Sequence, residues 1–178
     1  VLIFEQSIAL GRCIRHAKLW QKEAEMGFQI NRLGRNDVAQ MQALNGLFAE
    51  VFEDPESYAS APPSASYLQQ LLSNDLNFAL VALKGSNIIG GLFAYQLQKF
   101  EQARSEIYIY DLAVSAQHRR RGVATALIMA LRDLAQQRDC WVIYVQADYV
   151  DAPAVALYTK LGLREDVLHF DITVPAKP

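Results

Sequence analysis

The chain has 178 residues, 52% of them hydrophobic and 20% charged, with a formal net charge of −2. That length suits one domain able to bury a core without disulfides or metals, and the charge balance lacks the basic excess on which nucleic-acid binding draws, so no nucleic-acid partner is expected. No apolar run reaches the roughly 18–20 residues needed to cross a bilayer, so no membrane partner is expected either. Cys13 and Cys140 have no metal-ligand spacing and are too few for a disulfide framework, which favours a cytoplasmic setting. His16, His118 and His169 are too scattered to form a metal site, and no metal is expected.

The N-terminus opens Val1-Leu2-Ile3-Phe4, but Arg12, Arg15 and Lys18 follow this apolar stretch instead of preceding it, the reverse of a secretory leader. Residues 1–25 read as an extension ahead of a domain spanning 26–178, with Ile8, Leu10, Ile14, Leu19 and Trp20 spaced for a short amphipathic helix. Alternation from Phe28 to Leu33 predicts a first strand. Asn36 or Asp37 then caps a helix whose apolar residues, Val38, Met41, Leu44, Leu47, Phe48, Val51 and Phe52, recur in steps of three and four. Asp54-Pro55 ends it, and the stretch from Ser57 to Pro63 reads as a loop. Ser64 caps a shorter helix through Leu72.

Strands at Phe78–Leu83 and Ile88–Leu97 flank Lys84-Gly85-Ser86-Asn87, a hairpin turn by its tolerance of positive φ. Glu106–Val114, rich in Ile, Tyr and Val, has the composition of a central strand. A basic loop, His118-Arg119-Arg120-Arg121-Gly122, leads into a helix from Val123 to about Gln137, and a further strand runs from Trp141 to Ala147. Pro153 suits the first turn of another helix that stops at Leu161-Gly162, and Val167–Val174 reads as a last strand. The order predicts an α/β (α+β) fold, a mixed sheet with helices on both faces.

The sharpest local feature is a strand, then Arg119-x-x-Gly122-x-Ala124, then a helix. Small residues let the backbone approach a phosphate, the exposed N–H groups and dipole at a helix start favour an anion, and the arginines add charge-assisted donors. The lysine and Ser/Thr of a P-loop are missing, so a pyrophosphate on a larger cofactor fits better than a hydrolysed nucleotide.

Asp111-Leu112-Ala113-Val114 followed by Arg119-x-x-Gly122-x-Ala124 resembles the acetyl-CoA-binding motif of the GNAT superfamily. Ala156-Leu157-Tyr158-Thr159-Lys160-Leu161-Gly162 resembles its second signature. The resemblance covers about Gln29 to Val174 and implies the acyl-CoA N-acyltransferase fold, with a mixed, mainly antiparallel central sheet. A narrower resemblance, to aminoglycoside 3-N-acetyltransferases that act on gentamicin-type antibiotics, rests on Lys99-Phe100-Glu101-Gln102, Arg104 through Val114, Tyr144 through Tyr149, and Pro153 through Gly162.

The resemblance implies acetyl-CoA as co-substrate, with pantetheine along the backbone of Leu112, Ala113 and Val114 and pyrophosphate on the N–H groups of Arg121, Gly122, Val123, Ala124 and Thr125, beside Arg119 and Arg120. It makes the Val114 N–H the polariser of the thioester oxygen and Tyr158 the acid for the departing thiolate; the alternative for Tyr158 is a packing role beside Leu157 and Leu161. For the base, Asp111 in its apolar strand is preferred over Glu106, which a regular strand would place on the opposite face and a bulge would bring back. Either carboxylate could instead belong to an ion pair. Glu101, Glu106, Asp148, Asp151 and Asp171 are the candidate carboxylates for a cationic aminoglycoside, and Tyr108, Tyr110 and Tyr149 the candidate sugar-packing rings. Asp151-Ala152 stands where many superfamily members carry Asn, so the usual pantetheine contact there is open. The resemblance also implies a homodimer, with Val167–Val174 as an edge available for sharing. Rival readings are an acetyltransferase for a polyamine, amino acid or protein amine, a non-catalytic acyl-CoA-binding module, and a nucleotide-binding domain.

Overall fold

The computed structural model describes residues 27–175, so the N-terminal extension with its expected helix lies outside the described residues. The chain divides into two compact units, one ending at Gln146 and the other beginning at Ala147.

In the first unit, strands β1 (Gln29–Arg32), β2 (Asn77–Lys84), β3 (Asn87–Gln98), β4 (Ser105–Val114) and β5 (Cys140–Val145) form one sheet in the order β1-β2-β3-β4-β5. Every pairing is antiparallel except β4 with β5. The β2–β3 turn is Gly85-Ser86, and Gly85 at φ 62° supplies the positive φ that the sequence predicts there. The parallel β4–β5 pair needs a crossover, which α4 (Val123–Gln137) provides.

Both faces of the sheet are covered. On one, Leu127 and Leu131 of α4 pack with Phe78, Leu80, Leu92, Ile107 and Ile109, all essentially inaccessible. On the other, Met41, Leu44 and Phe48 of α1 (Val38–Val51) and Leu68 of α3 (Ala65–Ser73) pack on Val81, Phe93 and Ala113. Strands β2 and β3 read as near-continuous buried runs for this reason. Ser64 caps α3 as expected, its hydroxyl accepting from the Tyr67 N–H at 3.2 Å.

Three expectations need correction. The Asp37 side chain does not cap α1; its carboxylate accepts instead from the Gly34 N–H at 2.8 Å, tightening the turn before the helix. The stretch after Asp54 is not all loop: α2 (Pro55–Ala59) forms there, because Asp54 accepts from the Ser57 N–H at 3.0 Å and Pro55 is suited to a first helical turn. Pro55 thus both ends α1 and begins α2. Residues 163–175 are neither helix nor strand, so Val167–Val174 is not the expected last strand. Its alternation fits a strand face, but a strand exists only by pairing its N–H and C=O groups with a neighbour, and this segment pairs with none among the described residues. Helix α5 (Ala152–Leu161) begins with Pro153 in its first turn and stops at Gly162, as read from the sequence.

Gly91 marks the tightest contact between α1 and the sheet. A Cβ there would collide with a Leu44 methyl and stand 2.8 Å from the Leu80 carbonyl oxygen, which the ladder cannot move. Gly91→Ala is therefore expected to destabilise the fold by about 1–3 kcal/mol, the usual range for overpacking, read as a lowered urea midpoint at unchanged slope.

Candidate active site

The site begins where β4 loses a neighbour. It pairs with β5 only from Ser105 to Ile109, whereas β3 follows it to Val114. The Ser115 N–H donates to the Ile89 carbonyl at 3.0 Å, which makes the Gly91–Ala113 pair hydrogen-bonded and the Gly90–Val114 and Leu92–Leu112 pairs non-hydrogen-bonded. The backbone groups of Leu112 and Val114 therefore point away from β3, into the edge that β5 leaves open. The Arg119 Nε donates to the Val114 carbonyl at 3.3 Å, so the Val114 N–H faces that edge while its carbonyl is already engaged.

Past β4 the chain turns sharply into α4. Arg120 (φ 62°) and Gly122 (φ 81°) both lie in the left-handed region, and no side chain caps the helix. The first N–H groups of α4 have no intrahelical acceptor by construction of any helix. With Arg119, Arg120 and Arg121 alongside, largely exposed, this turn has the donors and charge to take a phosphate. The donor set thus fits the pyrophosphate expected from the sequence, and Val123, whose side chain is buried against the sheet, fixes the helix start.

A bulge sets the chemistry of the β4 face. Ala94 pairs with Ile109 and Phe93 with Asp111, leaving Tyr110 as the extra residue. The partners of Leu97, Tyr95 and Phe93 are Glu106, Tyr108 and Asp111, so both candidate bases lie on one face, the side of α1. The sequence carries the signal: core residues step by two from Ile107 to Ile109, then by three to Leu112.

The two carboxylates differ in their partners. Glu106 lies 3.5 Å from Lys99, which also pairs with Glu101 at 3.5 Å, and Glu101 in turn meets Arg104 at 3.5 Å. Asp111 has no cation within ion-pair distance among the described residues. Its Oδ1 accepts from the Tyr58 hydroxyl at 3.0 Å. Burial pushes the Asp111 carboxyl above the usual carboxylate range, and the Tyr58 hydrogen bond opposes that rise. Burial, with the Asp111 charge beside it, likewise pushes the Tyr58 phenol up. Tyr58 comes from α2 and belongs to no motif; the sequence gives no local signal for it.

Rings line the same face. Phe93–Tyr95, Tyr95–Tyr110, Tyr110–Tyr108 and Tyr108–Tyr144 have centroids 5.0, 5.9, 5.9 and 5.0 Å apart, making one row across β3, β4 and β5. Tyr110 is 62% exposed, enough to offer its ring to a ligand. The Tyr108 hydroxyl donates to Gln146 Oε1 at 2.9 Å.

The remaining candidates lie in the second unit. Asp151 caps α5, accepting from the Ala154 N–H at 3.0 Å. Tyr158, half-buried on α5, has its phenol pushed up to about 12, by burial first and the Asp151 charge second. The Tyr149 hydroxyl donates to Asp166 at 3.3 Å, Asp171 pairs with His169 at 3.0 Å, and Asp148 is exposed. No His/Cys/Asp/Glu cluster suited to a metal occurs among the described residues.

Known proteins align with this architecture. Residues 41–163 match the model of the acetyltransferase (GNAT) family. A solved aminoglycoside acetyltransferase, HMB0005, from an uncultured soil metagenomic sample is 53% identical, with a TM-score of 0.82 over 83% of this chain and 99% of that one. Another from such a sample, meta-AAC0020 in complex with sisomicin, is 33% identical, with a TM-score of 0.78 over 83% and 97%. N-acetyltransferase 8B of Rattus norvegicus is 27% identical over 90 residues, a match spanning 51% of this chain and 40% of that relative. With the open edge of β4, the glycine turn and a family match over most of its length, the chain belongs to the acetyltransferase (GNAT) family.

Proposed function

We propose that the protein transfers the acetyl group of acetyl-CoA to the 3-amino group of an aminoglycoside. The observation that carries this reading is Asp111, a half-buried carboxylate without a counter-cation among the described residues, next to the open backbone edge of Leu112–Val114. Identity of 53% and 33% to aminoglycoside acetyltransferases, one of them bound to sisomicin, supports the substrate class.

Acetyl-CoA supplies an acetyl group already activated as a thioester. Arg119, Arg120 and Arg121 and the N–H groups of Gly122, Val123, Ala124 and Thr125 hold its pyrophosphate. Asp111 pairs with the incoming ammonium and first accepts one proton, freeing the lone pair that then bonds to the thioester carbon; the second N–H proton leaves to water as the adduct collapses to the amide. The Val114 N–H donates to the carbonyl oxygen while negative charge gathers there, a contribution worth about 10²–10³ in rate. Tyr158 holds its proton at neutral pH and, by its position in the second motif, gives it to the sulfur as the C–S bond breaks. Glu106 and Glu101 are carboxylates for further amino groups of the sugar, exchanging their Lys99 pairing for the ligand's cations. Tyr110 and Tyr108 offer ring faces to the sugars.

Thiol release from acetyl-CoA with gentamicin, sisomicin, spermidine and lysine, followed by NMR of the product, tests the reading. Turnover is expected on the aminoglycosides with acetylation at the 3-amino group, and Asp111→Asn is expected to lower kcat/KM by about 10²–10⁴. Acetylation of spermidine or lysine alone would refute the aminoglycoside assignment.

The same substitution has a pH-dependent effect on stability. Because burial raises the folded-state pKa of Asp111, its charge costs stability above that pKa. The penalty fades as pH falls through it, and vanishes below the ordinary aspartate value of about 3.9. Asp111→Asn is therefore expected to melt at a higher temperature than the parent at pH 8, with the gap closing towards about pH 4. Calorimetry across that range reads it.

A further inference from the structure

We infer that Tyr58 is a positioning residue for Asp111: its hydroxyl holds Oδ1 and leaves Oδ2, in a fixed orientation, for the substrate amine. This rests on the reading of Asp111 as base. The bond is 3.0 Å long and joins residues 53 apart in sequence, on different elements. It is the only hydrogen bond to the Asp111 side chain among the described residues.

The donor is itself held. The Tyr58 ring lies 5.8 Å from that of Phe48 and 5.7 Å from that of Phe52, and those two stack at 5.6 Å. Phe48 is fully buried beneath the sheet, so the clamp is anchored in the core. The helix carrying Tyr58 is only five residues long and is kept in shape by the Asp54 cap and Pro55. A short element with a fixed start and a clamped ring delivers one hydroxyl to one oxygen.

The surroundings leave this bond without a substitute. Among the described residues, the titratable groups around the pair are Asp54 at the start of α2, Tyr95 on β3, and Tyr108 and Tyr110 on β4, with Tyr67 of α3 reaching Tyr95. None is a cation. The Tyr58 hydroxyl is thus the group that favours the charged carboxylate against burial, as well as orienting it. A donor to a charged acceptor has more effect than a neutral pair, and its loss is felt chiefly by the ionised form.

The test compares the parent, Tyr58→Phe and Asp111→Asn in pH profiles of kcat/KM for acetyl transfer, with ¹³C-aspartate NMR titration of the substrate-free proteins. Phenylalanine keeps the ring clamp and removes only the hydroxyl. The expected result is an acid limb, and an Asp111 carboxyl titration, moved up by about one pH unit in Tyr58→Phe, with at least a ten-fold loss of kcat/KM below the limb. Replacement of Tyr58 by 3-fluorotyrosine, a stronger donor of nearly the same shape, is expected to move both the other way, and reads the role even if Tyr58→Phe folds poorly. An acid limb and a carboxyl titration unmoved in both variants, while Asp111→Asn is inactive, would overturn the role of Tyr58 alone. Full activity in Asp111→Asn would instead overturn the base assignment on which it rests.

Discussion

Strand β4 is hydrogen-bonded along its whole length on one edge and along only half of it on the other. Most of the working face depends on that asymmetry. Backbone donors and acceptors buried without partners are costly, so an open stretch inside a sheet persists only where solvent or a ligand can satisfy it. Here the open stretch holds Leu112 and Val114, and it leads within a few residues into the left-handed turn before α4. One strand thus presents an open backbone edge along its C-terminal half and, beyond its end, a helix start whose first N–H groups have no intrahelical acceptor. A long ligand with an amide-bearing arm and a phosphate head matches that sequence of donors.

The second level of organisation is electrostatic. Three carboxylates of the first unit come from the β3–β4 hairpin and β4, and of these only Asp111 has no cation within ion-pair distance among the described residues. Glu101 and Glu106 share Lys99, and such partly exposed pairs hold weakly enough to be exchanged for a charged ligand. Asp111 is restrained by a neutral donor instead. A neutral donor orients a carboxylate while leaving its charge available to an incoming cation.

Much of this was legible in the sequence, because much of it is local. The β2–β3 turn, the limits of α4, the Ser64 cap and the glycine turn follow from residue types at fixed offsets, and the structure has them where those residues stand. What was not legible depends on contacts across the fold. Pro55 signals both a stop and a start; the Asp54 cap favours the second, and the packing of Tyr58 against Phe48 and Phe52 holds it. The pairing of Tyr58 with Asp111 spans 53 residues and has no local signature. Leu168, Phe170, Ile172 and Val174 alternate as a strand would, but alternation describes a face, and pairing needs an edge to receive it.

The extra residue at Tyr110 separates two kinds of change that the protein can undergo. The number of residues between Glu106 and Leu112 decides which side chains share a face and where β4 bends from its parallel neighbour; their identities decide what those side chains do. Point substitution alters the second without touching the first. Residues along β4 can therefore be replaced while its open edge stays intact, whereas a single codon gained or lost in that stretch alters the edge itself.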